Sequence, residues 1–109
     1  MKYDGASLHA LTERIIGAAF EVSNTLGAGF LEKVYENALV QELRVLGLDV
    51  TQQRGVAVRY KDIVELKVAQ SLNDFHTAQC VNYLRATGKT TSLLMNFAKP
   101  RLEFRRIVR

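Results

Sequence analysis

The stretch "DIVELKVAQSLNDFHTAQCVNYLRATGKTTSLLMNF", residues 62–97, decides the fold. Its first eight residues alternate: Ile63, Glu65 and Lys67 share one side of a strand, and Val64, Leu66 and Val68 the other. A helix is expected from about Asn73 to Thr87, closed by Gly88. "TSLLMNF" is an apolar run of strand length and reads as a buried strand. Strand, helix, strand in this order predicts a right-handed βαβ unit with the two strands parallel.

Working outward, Leu8, Leu11, Ile15, Ala19 and Val22 recur at helical spacing, with Ser7 as the expected N-cap and a stop at Gly27 and Gly29. A second helix is expected to carry Leu31, Val34, Tyr35, Ala38, Leu39, Glu42 and Leu46 on one broad face and to end at Gly47. "LDVTQQRGVAVRYK" has strand character in two pieces, one beginning at Val50 and one over Val56–Tyr60, with Gly55 marking a bulge between them. After Pro100, "LEFRRIVR" reads as an edge strand or a frayed tail. The order is α-α-β-β-β-α-β-β, an α/β class.

With 109 residues, 48% of them hydrophobic and 24% charged, the chain suits a single globular domain, residues 1–109. The balance of 15 basic to 11 acidic residues is compatible with a phosphate-bearing partner. One cysteine, Cys80, can make neither an internal disulfide nor a thiolate zinc cluster, so a cytoplasmic address is expected. The first residues lack the apolar stretch of a signal peptide, and no run is long enough to cross a membrane.

Several motif fragments fail on context. "GKTT" at residues 88–91 has Tyr83 where a P-loop needs its first Gly, and it follows a helix instead of a strand. "GAGFLE" at residues 27–32 has Glu32 where a dinucleotide loop has its third Gly. His9 and His76 lack a metal-ligand spacing, and no Gly-x-Ser-x-Gly elbow is present.

Three features remain. Glu32 lies in the first turn of the second helix, where the helix dipole favours a carboxylate. Glu65 and Lys67 lie side by side on a strand, as a surface ion pair would, or as half of a metal-dependent site would. In the latter reading Glu65 holds a divalent cation, while Lys67 orients water and stabilises phosphate charge. His76, Gln79 and Tyr83 share a face of the third helix, and the last two could contact phosphate or hold Lys67 in place. The tail adds Arg101, Arg105 and Arg106, whose charge suits nucleic-acid phosphates.

Taken in order, Gly29-x-x-Glu32-x-x-Tyr35, Glu65-x-Lys67, Gln79-x-x-x-Tyr83 and "LLMNF" resemble the GxxExxY protein family, a branch of the PD-(D/E)XK nuclease superfamily. The resemblance runs from about Leu11 to Phe97. It implies an α/β sandwich around a mixed sheet and magnesium-dependent hydrolysis of a phosphodiester. It also implies catalytic roles for Glu65, Lys67, Gln79 and Tyr83, and a metal held by Glu32 and Glu65.

The sequence departs from that pattern at one place. Family members carry a segment with the signature Asp between the "VRYK" and "VELK" strands, whereas here "VRYK" passes straight to "DIVELK". One strand and its Asp are expected to be missing. Asp62, three residues from Glu65 on one strand, points to the opposite face. Impaired catalysis with weakly held magnesium is therefore expected, and a non-catalytic module binding nucleic acid or protein is the alternative. The residues flanking the deletion could form a hairpin turning at Lys61–Asp62 or one long strand. An edge left open there could pair two copies of the chain.

Overall fold

The residues around the expected deletion do meet as a hairpin. In the computed structural model, which describes residues 5–52, 56–60, 62–69, 72–89 and 91–108 (backbone alone at 5–8, 60 and 62–65), strands β2 (Val56–Tyr60) and β3 (Asp62–Ala69) pair antiparallel. The ladder runs from Val56 opposite Leu66 to Tyr60 opposite Asp62. Asp62 thus belongs to the strand and not to a two-residue turn. The expected open edge does not arise, because β2 and β3 satisfy each other's backbone groups. The bulge expected at Gly55 lies outside the described residues.

Among the described residues the remaining elements are α1 (Gly5–Leu26), α2 (Glu32–Val45), β1 (Asp49–Gln52), α3 (Asp74–Thr87), β4 (Thr91–Asn96) and β5 (Glu103–Val108), in the expected order. The sheet order is β1-β2-β3-β4-β5. Only β3 and β4 run parallel, with Leu66 opposite Leu93 and Val68 opposite Met95, and α3 is the crossover between them. The outer strands are β1 and β5, as expected for the latter.

Alternation along these strands divides the core in two. Val56, Val58, Leu66, Val68, Leu93 and Met95 face α1 and α2. Ala69, Leu94 and Ile107 face Cys80 and Leu84 of α3. Every residue of β4 is buried, which is why it reads as an unbroken apolar run.

Local chemistry sets most helix ends. Asn73 caps α3 by accepting the His76 N–H at 2.9 Å, and Gly88 ends it in the left-handed conformation at φ 75°. At the end of α2, the Gly47 N–H donates to the Arg44 carbonyl and the Leu48 N–H to the Leu43 carbonyl, a Schellman closure.

Two helix expectations need correction. Helix α1 starts at Gly5, so Ser7 lies inside it; Leu11, Ile15, Ala19 and Val22 of its stripe are buried as expected. The buried face of α2 is Tyr35, Leu39, Val40 and Leu43. Leu31 and Leu46 are the residues flanking the helix at its caps, off its 3.6-residue repeat, and both are exposed, as is Val34. No described helix is long and apolar enough to cross a membrane.

Candidate active site

The loop entering α2 gives Gly29 and Tyr35 of the Gly-x-x-Glu-x-x-Tyr spacing structural roles. Tyr35 is 2% exposed, and its hydroxyl donates to the Gly27 carbonyl at 2.6 Å and accepts the Phe30 N–H at 3.2 Å. Its ring stacks on Phe97 at 4.8 Å and meets Phe30 edge-on at 6.0 Å. Gly29 sits at φ 109°, a conformation that side-chain-bearing residues seldom adopt. Together these two residues fold the loop back on the helix and fix the point where α2 begins. Glu32 is the first residue of α2, and its side chain is exposed.

Glu32 stands on the wall of a cleft of about 290 Å³ that also takes in Val68, Ala69, Phe97 and Ala98. Val68 and Ala69 end β3, and Phe97 and Ala98 follow directly on the parallel strand β4. Open α/β sheets bind ligands beyond the carboxyl ends of their strands, and this cleft lies there.

One turn along α2, on the same side as Glu32, is Glu36, a residue the sequence reading passed over. It is half-buried and accepts hydrogen bonds from Lys33 Nζ at 2.8 Å and Gln52 Nε2 at 2.7 Å. Burial pushes its pKa up, but the two hydrogen bonds and the charges of Lys33 and Lys67 outweigh this, so the carboxyl is held below its ordinary value. The signal that could have found it is the four-residue step from Glu32; its partner on β1 is sixteen residues away.

The other expected residues are placed as follows. Glu65 lies in β3 opposite Ala57 and Ser92, at a position where only the backbone is described. Lys67 is exposed, and strand alternation sets it on the α3 side of the sheet with Ala69. Asp62 holds a register position of the other parity, in line with Leu66 and Val68. Gln79 is exposed on α3. Tyr83 is 45% exposed; its hydroxyl accepts from Lys89 Nζ at 3.4 Å, and the same ammonium lies 5.4 Å from its ring centre. Among the described residues no hydrogen bond joins Lys67 to Gln79 or Tyr83. His76 is half-buried, its Nδ1 at 2.9 Å from Asn73 Oδ1.

Of the three arginines, Arg101 and Arg106 are exposed. Arg105 instead ties β5 to the start of α3, donating to Thr77 Oγ1 at 2.6 Å and the Leu72 carbonyl at 3.4 Å.

The described donors do not form a preformed cage for a divalent cation. Hard cations take six or more oxygens. Among the described residues no group of three or more His, Cys, Asp or Glu side chains is placed to hold one. Glu36, the carboxylate nearest Glu32 along α2, already has an ammonium and an amide as partners.

The sequence model of the PD-(D/E)XK nuclease superfamily matches residues 9–63 and 62–107. The chain belongs to that superfamily. No curated protein and no solved structure matches it.

Proposed function

We propose that this chain is a nuclease-fold protein of the GxxExxY branch that engages nucleic acid, and that its magnesium-dependent phosphodiester hydrolysis is impaired. The observation that carries this reading is the direct pairing of β2 with β3, from Val56–Leu66 to Tyr60–Asp62. It leaves no position between those strands for a segment bearing another carboxylate. The superfamily match is also divided, and its two stretches meet at residues 62–63, at the start of β3.

In this reading Glu32 and Glu65 are the remaining candidate ligands, and magnesium is held weakly and mostly by water. Lys67 retains its role toward phosphate, and Gln79 and Tyr83 form a separate exposed strip of α3 available to the backbone of a nucleic acid. A metal centre short of a ligand positions its water poorly, and a shift of about 1 Å costs on the order of a hundredfold in rate. A reducing cytoplasm suits the buried free thiol of Cys80.

The test is cleavage of DNA and RNA, single- and double-stranded, with magnesium or manganese, by the parent protein and by Lys67→Ala. The expected result is a rate at background in both. Metal-dependent cleavage by the parent that Lys67→Ala abolishes overturns the impairment.

A further inference from the structure

We infer that a second cleft, beside the carboxyl end of β4, takes one nucleotide of a single-stranded nucleic acid, with its base against Phe104 and its phosphate on Arg101. The cleft measures about 610 Å³, within the range of about 300–1,000 Å³ usual for small-molecule sites. It is lined by Phe20, Asn96, Lys99, Arg101, Phe104 and Arg105, together with Glu103.

Three cations and one carboxylate give this cleft an excess of two positive charges, in a chain whose total is +4. The carboxylate is already engaged: Glu103 accepts from Lys99 Nζ at 3.2 Å and from Asn96 Nδ2 at 3.4 Å. Arg101 is exposed, with no ion pair among the described residues. Arg105, next to Phe104 on β5, points to the opposite face of the sheet, where Thr77 and the Leu72 carbonyl hold it, so the phosphate falls to Arg101. The Arg101 guanidinium, without a counter-ion among the described residues, offers its five-donor fork to phosphate oxygens.

Phe104 supplies the second half of the site. It is 41% exposed, and Phe20 meets it edge-to-face at 6.2 Å and 87°. An exposed aromatic in a cleft that also carries a free cation can receive a base and its phosphate from a single strand. A duplex keeps its bases stacked inside and cannot use the ring. The turn 96–99 separates this cleft from the Glu32 cleft, since Phe97 and Ala98 line the latter while Asn96 and Lys99 line the former.

The inference builds on the nucleic-acid reading above but needs no metal, so binding is measured in EDTA. Fluorescence anisotropy is recorded with a labelled single-stranded oligonucleotide and with the duplex of the same sequence. The expected result is preference for the single strand. Phe104→Ala weakens it by roughly fivefold to a hundredfold, the range for losing one stacked base. Phe104→Tyr keeps the ring and binds as the parent does, which separates loss of stacking from loss of folding. Arg101→Ala reduces affinity for all sequences and lowers the salt slope by about one. Duplex binding as tight as the single strand, or Phe104→Ala binding as the parent does, overturns the inference. Binding that survives both cleft substitutions but is lost in Lys67→Ala overturns it while leaving the proposed function standing. No binding of either oligonucleotide overturns both.

Discussion

Replacing Tyr35 by Phe removes one oxygen and keeps the ring. The Phe97 stack survives and no cavity of consequence opens. Two hydrogen bonds are lost, one to the Gly27 carbonyl at 2.6 Å and one from the Phe30 N–H at 3.2 Å. At about 0.5–1.5 kcal/mol each, the pair is worth about 1–3 kcal/mol. Phe30 is 51% exposed, so water can take over its amide, and the lower half of that range, about 1–2 kcal/mol, is expected. For a chain of this length that lowers Tm by roughly 4–8 °C. Urea unfolding followed by circular dichroism gives the free energy, with an unchanged slope expected because no additional surface is exposed. Hydrogen exchange at Phe30 should speed up in parallel. A midpoint within error of the parent, with Phe30 equally protected, would refute the idea that this hydroxyl pins the loop presenting Glu32.

Four further substitutions follow from the same geometry. Thr12 is buried in α1 with no hydrogen-bond partner for its hydroxyl among the described residues, so Thr12→Val should raise stability by about 1 kcal/mol in urea unfolding; a loss would reveal a partner for that oxygen. Gly29→Ala has open space for its new methyl but a φ of 109°, so backbone strain alone should cost about 1–3 kcal/mol in thermal unfolding. Gly17→Ala, also in open space but inside α1, should stabilise by about 0.5–1 kcal/mol. The depressed pKa of Glu36 contributes stability that is complete above the unfolded-state pKa and is lost as pH falls through the folded one. Glu36→Gln should therefore flatten the fall in stability through and below the ordinary glutamate range, as measured by urea midpoints across acid pH; an unchanged acid slope would count against its pairing with Lys33 and Gln52.

What could be read directly was whatever local chemistry decides. Asn73 and Gly88 bound α3 through bonds spanning three or four residues, and β4 is apolar because both its faces are covered. The order of Glu32, Glu65, Lys67, Gln79 and Tyr83 pointed to the superfamily that the match bears out. Legibility ended where partners are distant in sequence. The choice between hairpin and single long strand depends on which backbone groups find each other, and the alternating pattern of Val56–Ala69 suits both. Arg105 read as a free basic residue until its contact with Thr77, twenty-eight residues away, was in view. The exposed Leu31 and Leu46 were assigned to the core by counting across helix caps, where the periodicity no longer applies.

The central claim is that a nuclease fold has lost a carboxylate and with it firm hold of its metal. Manganese titration, with the free aqua ion followed by electron paramagnetic resonance, tests this most directly. The account predicts a weak response that does not saturate at stoichiometric metal and is little changed by Glu32→Gln. Tight binding of one manganese per chain, abolished by Glu32→Gln, would contradict it.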